Sequence, residues 1–208
     1  MPLGKRKPSI VYWLGNNLYL NITNRCPNKC YFCFRNFTHS LKGFNLKLKQ
    51  EPSPEEVISE LQKAINRRNW DEIVFCGFGE PLERLDCIIK VTTWIKKYHG
   101  TVVRIDTNGQ GFLVNKDRAV VKELKEAGVD RMSVSLNAQD KPTYTQICRP
   151  QFEDAYESML EFIKQSSRDF DLEITAVTVP EVDILAMQEI AAGIGVRFRI
   201  RQLIPCFW

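Results

Sequence analysis

Short apolar runs and amphipathic helical segments alternate along nearly the whole chain, and that rhythm leaves few folds open. Ile10 to Leu14 and Leu18 to Thr23 are apolar, β-branched runs split by Gly15-Asn16-Asn17, which reads as a hairpin entering the first core strand. Ser53-Pro54-Glu55-Glu56 opens a helix, with a Ser cap, Pro at the first helical position and a Glu that closes a capping box. Val57, Leu61, Ala64 and Ile65 form its apolar face, up to about Arg68. Further strands are predicted over Glu72 to Cys76, Val102 to Thr107, Arg131 to Leu136, Leu172 to Val179 and Val196 to Ile204. Helices are predicted over Leu82 to Tyr98, Lys116 to Ala127, Phe152 to Gln165 and Ile184 to Ala192. Strand–helix–strand units in series build a parallel sheet with right-handed crossovers.

The strands also alternate internally, whereas parallel strands covered on both faces usually read as continuous apolar runs. Val103 and Ile105 oppose Arg104 and Asp106, and Met132, Val134 and Leu136 oppose Arg131, Ser133, Ser135 and Asn137. Leu172, Ile174 and Ala176 oppose Glu173 and Thr175, and Phe198 and Ile200 oppose Arg197, Arg199 and Arg201. The apolar set must face helices, so the polar set faces something wet. The expected fold is an α/β partial (β/α)6 barrel of parallel strands, with helices outside, a polar lumen that holds ligand, and an N-terminal β-hairpin strand. An open sheet with a solvated polar face is the alternative. One domain would span residues 1–208, with 1–16 as an N-terminal extension and hairpin strand.

Composition narrows the class. Hydrophobic residues are 44% and charged residues 26%, a globular balance that excludes a disordered or collagen-like chain. A net charge of +4 is too small to indicate a nucleic-acid partner. No apolar run is long enough to span a membrane. Met1 to Lys7 carries Lys5, Arg6 and Lys7 but no apolar stretch or cleavage site, so no signal peptide is expected and the predicted location is cytoplasmic.

Three of the seven cysteines are clustered: Cys26, Cys30 and Cys33 form C-x3-C-x2-C in the loop after the first core strand. Three thiolates this close call for a thiophilic metal or a cluster. Structural zinc takes four ligands, usually as two pairs, and no second pair exists; the two histidines, His39 and His99, do not supply one. Three ligands suggest a [4Fe-4S] cluster with one iron left open, with a structural zinc site or free core thiols as the alternatives. Cys76, Cys87, Cys148 and Cys206 are scattered singly; Cys148 and Cys206 follow strands and read as buried thiols, with hydrogen-atom donation or substrate contact as the functional alternative.

These residues resemble the radical S-adenosylmethionine (SAM) superfamily, whose cluster motif is C-x3-C-x-aromatic-C, with Phe32 at the aromatic position. A second signature, Gly-Gly-Glu-Pro, has a near match in Gly77-Phe78-Gly79-Glu80-Pro81, where Phe78 replaces the first Gly. Two further matches follow at strand ends, Asp106-Thr107-Asn108-Gly109 and Ser133-Val134-Ser135-Leu136-Asn137. Within the superfamily, Asn21 to Cys26, Tyr31 to Arg35 and Cys76 to Pro81 are similar to the small TatD-associated radical SAM proteins.

The resemblance implies one [4Fe-4S] cluster on Cys26, Cys30 and Cys33, and reductive cleavage of SAM to a 5′-deoxyadenosyl radical that abstracts hydrogen from a substrate. It implies SAM contacts from Phe32, Gly77, Phe78, Gly79, Glu80, Thr107, Asn108, Ser135, Asn137 and Val177. Glu80 would meet the methionine ammonium, a charge-assisted contact. Thr107, Asn108, Ser135 and Asn137 would bind ribose hydroxyls or the carboxylate, with turn and cap chemistry as the alternative, and Val177 would contact adenine, with core packing as the alternative. Segment 24–52 would be the cluster loop and either a lid or a segment packed over the cluster. The lumen residues Arg104, Asp106, Glu173, Arg199 and Arg201 are the candidate substrate pocket, and three Arg on one strand invite an anionic substrate; a charge-paired lumen or an exposed last strand is the alternative. The implied partners are a low-potential electron donor of ferredoxin or flavodoxin type and either a TatD-like hydrolase or a protein substrate. An activating enzyme that installs a radical on a partner protein is the rival enzyme reading. A non-catalytic iron–sulfur electron-transfer or sensing module is the rival from another class.

Overall fold

Alternation within the strands decides the architecture. The computed structural model describes residues 7–203. Its strands are β1 (Val11–Leu14), β2 (Asn17–Leu20), β3 (Ser40–Leu41), β4 (Phe44–Asn45), β5 (Glu72–Phe75), β6 (Val102–Thr107), β7 (Arg131–Ser135), β8 (Asp171–Val177) and β9 (Arg197–Arg201). The helices are α1 (Pro54–Ile65), α2 (Leu85–Tyr98), α3 (Gly111–Val114), α4 (Val120–Ala127), α5 (Lys141–Cys148), α6 (Ala155–Ser166) and α7 (Ile184–Ile194). A seven-stranded sheet runs β1-β2-β5-β6-β7-β8-β9. The β1–β2 pair is the expected antiparallel hairpin, and every later pair in the sheet is parallel.

One face of β2 and of β5 to β8 packs on the helices, whereas Ile200 on β9 is exposed. Leu18, Leu20, Ile73, Phe75, Val103, Ile105, Met132, Val134, Leu172, Ile174 and Ala176 belong to a single buried core with Val57, Leu61, Ile88, Val91, Leu124, Phe162 and Met187 from the helices. The other face lines a cavity of about 390 Å³ with Tyr19, Glu72, Arg104, Asp106, Glu173, Arg199 and Arg201. The polar lumen is therefore present, and the solvated-sheet alternative is not.

Local chemistry sets the element ends. Ser53 accepts from the Glu56 amide while Glu56 accepts from the Ser53 amide, so the predicted capping box starts α1. Gly128 and Gly195 stop α4 and α7 in left-handed geometry. Two predicted helices begin later than expected. The segment from Leu82 starts as a 3-10 turn, Pro81–Arg84, before α2, and the one from Lys116 yields α4 only at Val120. The stretch read as a loop between β7 and α6 contains α5, capped by Asp140 with Pro142 in its first turn. The last strand ends at Arg201, and Ile204 and Cys206 lie outside the described residues.

Segment 34–50 packs against the hairpin and the chain that leads into the cysteines. Leu46 and Leu48 are buried, and the β3–β4 ribbon stacks its Phe44 ring on Tyr12 and Trp13 of the hairpin. Asn21 donates to the Leu46 carbonyl at 2.8 Å, and Asn24 exchanges bonds with Leu48 at 2.8 and 3.0 Å. The segment is a fixed strap between the hairpin and the cysteine loop.

Candidate functional site

The cysteine loop follows β2 at the end of the barrel where the parallel strands finish. It is held from the far side by α5: the Lys29 amide donates to the Cys148 carbonyl at 3.0 Å, Tyr31 to Ile147 at 3.1 Å, and Gln151 back to Pro27 at 2.8 Å. Beneath the loop Asn28, Gln110 and Tyr144 form a buried polar triangle. Asn28 Nδ2 and Gln110 Nε2 donate to the Tyr144 hydroxyl at 2.9 and 3.0 Å, and Gln110 Nε2 also reaches Asn28 Oδ1. No motif marks this triangle, because its members are separated by 34 to 116 positions.

Cys26, Cys30 and Cys33 are free and half-buried, with Cys148 buried beside them. Burial, followed by the charge of Glu80, pushes the Cys26 thiol up to about 12. Burial also raises Cys33. Cys30 moves the other way: a hydrogen bond from Cys148 holds it below the ordinary thiol value, against burial. Cys148 thus sits against a cluster-loop sulfur, a placement that sequence position alone does not signal. Among the described residues no three His, Cys, Asp or Glu side chains converge on a point that would hold one metal ion. Three thiols on one loop, with Cys26 beside Asn108, suit a cluster, in which each thiolate binds its own iron.

Glu80 is the polar centre of the site. It ends the β5 loop, is buried, and accepts three hydrogen bonds: from the Thr107 hydroxyl at 2.7 Å, the Asn108 amide at 2.7 Å and the Leu82 amide at 3.0 Å. Burial pushes its carboxyl up to about 7, opposed by those three donors. A carboxylate has about four acceptor positions, so Oε2, which takes only the Asn108 amide, keeps room for an ammonium. The Thr107 hydroxyl donates to Glu80 and accepts from the Gly109 amide at 3.0 Å, so it orients Glu80 and keeps one acceptor position for a ligand hydroxyl. Asn108 bridges the two halves of the site, with its amide on Glu80 and Nδ2 at 3.8 Å from Cys26 Sγ.

Gly77 and Gly79 are needed for protein packing. A Cβ on Gly79 would lie 2.2 Å from the Arg25 carbonyl oxygen, and one on Gly77 would lie 2.2 Å from Asn21 Oδ1. The loop therefore lies directly on the strand end that leads into the cysteines, and the Glu80 amide donates to Arg25 O at 2.8 Å. Phe78 faces the strap: its ring packs edge-on against Phe34 and His39, and Arg35 lies over it. Phe32 packs edge-on against Tyr31 and joins the rim of the core.

Ser135, Asn137 and Val177 close the ring at the ends of β7 and β8. Asn137 adopts a left-handed backbone, φ 61°, and Val177 is buried. Ser135 Oγ and Asn137 Oδ1 both accept from Arg201 Nη2 at 3.1 Å.

Below that ring the predicted substrate residues do share one cavity. Arg104 pairs with Glu72 and Asp106, and Arg199 with Glu173. Burial pushes Asp106 up to about 6, opposed by Arg104 and Arg201. Against the upward push of burial, Arg199 and Ser133 hold Glu173 below its ordinary value. Cys76, next after β5, continues the lumen face of Glu72 and Val74, and burial raises its thiol.

The family model for the Radical SAM superfamily matches residues 20–192. GTP 3′,8-cyclase of Corynebacterium glutamicum (strain R) is 30% identical over 202 residues, covering 92% of this chain and 50% of that protein. A probable GTP 3′,8-cyclase of Thermococcus kodakarensis is 28% identical over 191 residues, covering 90% of this chain and 56% of its own. The chain thus spans about half the length of these curated relatives. Streptococcus suis SuiB, solved with its precursor peptide SuiA, superimposes with a TM-score of 0.71 at 16% identity, over 93% of this chain and 40% of SuiB. SuiB solved with SAM gives 0.67 at 17% identity, over 91% of this chain and 40% of SuiB. Those two establish a common fold. A partial barrel with a three-cysteine loop at its strand ends, and a family match over most of its length, make this chain a member of the Radical SAM superfamily, enzymes that use a [4Fe-4S] cluster and SAM.

Proposed function

We propose that this radical SAM enzyme binds one [4Fe-4S] cluster on Cys26, Cys30 and Cys33 and uses SAM to abstract hydrogen from a small ligand held in the lumen. The observation that carries the reading is the bridge made by Asn108, whose amide holds Glu80 and whose side chain reaches Cys26. It joins the thiols and the buried carboxylate in one constellation. When bound, the cluster and SAM supply a 5′-deoxyadenosyl radical. The chain's residues do the rest. Glu80 receives the methionine ammonium at Oε2, held in aim by Thr107. Ser135 and Asn137 offer hydroxyl and amide groups at the facing strand ends, and Val177 lends an apolar wall. Phe78, packed on Phe34 and His39 with Arg35 over its ring, ties the strap to the loop that carries Glu80. Arg104, Asp106, Glu173, Arg199 and Arg201 form the substrate chamber beneath.

The electron comes from a reductant, for which a ferredoxin- or flavodoxin-type protein is the fitting class. Within the superfamily the motifs at Asn21 to Cys26, Tyr31 to Arg35 and Cys76 to Pro81 favour the small TatD-associated proteins. A GTP-cyclising activity is the second reading, favoured by the 30% identity to a GTP 3′,8-cyclase.

The test is anaerobic. The chain is reconstituted with iron and sulfide, mixed with SAM and dithionite, and 5′-deoxyadenosine is quantified by mass spectrometry beside Cys30→Ala. Product in the parent and none in Cys30→Ala is the expected result. A cluster that forms but neither binds SAM nor yields product overturns the reading and leaves an electron-transfer or sensing module.

A further inference from the structure

We propose that the upper lumen is a carboxylate site, in which Arg201 and Thr175 receive the single anionic group of a small ligand. This rests on the radical SAM reading of the same chamber and names the class of substrate it takes.

The lumen charges are arranged in layers. From the floor, where the strands begin, a continuous chain of ion pairs runs across β5 to β9 through Arg197, Asp171, Arg131, Glu72 and Arg104, and ends on Asp106 at the level of Glu173. At that level Arg199 pairs with Glu173. Every carboxylate that lines the chamber therefore already has a guanidinium. Five arginines face four acids in its wall, and the arginine left over is Arg201. Among the described residues Arg201 makes no ion pair; its contacts are the two neutral oxygens of Ser135 and Asn137, both through Nη2.

Two orphaned atoms lie on adjacent strands here. Arg201 Nε is buried without a hydrogen-bond partner, and so is Thr175 Oγ1. Buried polar atoms are nearly always paired, so an orphan calls for a missing partner. In the β8–β9 register Thr175 is opposite Arg199 and Val177 opposite Arg201, which makes Thr175 and Arg201 diagonal neighbours. Thr175 shares the lumen parity of Asp171 and Glu173, which line the chamber. An anionic oxygen between them would accept from Nε and from the Thr175 hydroxyl together, with charge assistance from the guanidinium.

Charge and size narrow the ligand. One unpaired positive charge in a desolvated wall is neutralised by one negative charge. A phosphate dianion or a polyphosphate would instead face Asp106 and Glu173 nearby. The chamber, about 390 Å³, falls in the range of small-molecule pockets. Arg201 lies at the end of β9, on the side of the chamber nearest Ser135, Asn137 and the cysteine loop.

The experiment uses the full chain reconstituted with iron and sulfide. Benzoate and N-acetylglycine are titrated by thermal melting against benzamide and N-acetylglycinamide, with inorganic phosphate and GTP as further arms. The parent, Arg201→Gln, Arg201→Lys and Thr175→Val are compared, and SAM affinity is measured for each by equilibrium dialysis. The expected result is stabilisation of the parent by the carboxylates and not by the amides. That effect should weaken at least tenfold in Arg201→Gln, about threefold in Thr175→Val, and least in Arg201→Lys, which also serves if the Gln variant does not fold. No carboxylate effect in the parent, or one that survives Arg201→Gln, overturns the proposal. So does tighter binding of phosphate or GTP. A loss of SAM affinity larger than the loss for the carboxylates also overturns it, because the guanidinium would then serve SAM. The absence of 5′-deoxyadenosine from the parent would defeat the radical SAM reading while leaving the carboxylate titration to stand or fall separately.

Discussion

Thr107 donates its hydroxyl to Glu80 at 2.7 Å, joining two strand ends that lie 27 positions apart. The bond aims a buried carboxylate at the cysteine loop, and both partners can be tested separately. Glu80→Gln should weaken SAM binding by about 10- to 100-fold, since hydrogen bonds to a charged group are worth about 1.5–3 kcal/mol. Thr107→Val should cost less, because the Asn108 and Leu82 amides still hold the carboxylate. Equilibrium dialysis with SAM checks both.

The same carboxylate predicts a pH dependence. Burial raises Glu80 from 4.5 to about 7, and the neighbouring Glu83 adds to the rise. The raised value means that the ligand-free fold binds a proton which the unfolded chain has already released between those two values, so its stability falls as pH climbs from 4.5 to about 7. An ammonium ligand prefers the ionised form, so SAM affinity should rise as pH passes upward through about 7 and then level off. Glu80→Gln should flatten that part of the profile. A steeper rise in the variant than in the parent would contradict the assignment.

Tyr144 accepts hydrogen bonds from both Asn28 and Gln110 beneath the cysteine loop. Tyr144→Phe leaves those buried amides short of an acceptor, which costs about 1–3 kcal/mol. The urea midpoint should fall, and iron retained per chain after desalting should fall with it, because the triangle holds Asn28 between Cys26 and Cys30. An unchanged midpoint would show that water replaces the hydroxyl.

Cys148 is buried behind the cysteine loop and lowers the Cys30 thiol, as a donor to that sulfur would. Cys148→Ala should therefore bind iron and sulfide in the parent's ratio. With one hydrogen bond to a cluster sulfur removed, the cluster should reduce at a more negative potential. Spectroscopic redox titration reads the shift. Loss of the cluster in this variant would make Cys148 a ligand.

Two glycines give opposite expectations. Gly79→Ala drives a Cβ to 2.2 Å from a backbone oxygen that cannot move without dragging the cysteine loop, so the variant should lose about 3 kcal/mol or more, or fail to fold. Gly193 lies in the last turn of α7, where a Cβ would meet nothing within 4 Å. Gly193→Ala should stabilise by about 0.5–1 kcal/mol. Chemical denaturation measures both.

The amino-acid order by itself determined the parallel barrel, its polar lumen and the cysteine triplet. Each of these rests on local periodicity or spacing: Val103 and Ile105 face the helices while Arg104 and Asp106 face the lumen, and Cys26, Cys30 and Cys33 share one loop. Tertiary structure alone decided which polar groups are spent on one another. Thr107, expected as a SAM contact, also supports Glu80. Gly77 and Gly79, expected likewise, also make room for Asn21 and Arg25. Pairing across five strands leaves Arg201, among the lumen arginines, without an ion pair within the described residues. The physical reason is common to all three. Hydrogen bonds and ion pairs act over about 3 Å, and the partners that satisfy a buried group come from strands dozens of residues away, where no local pattern records them.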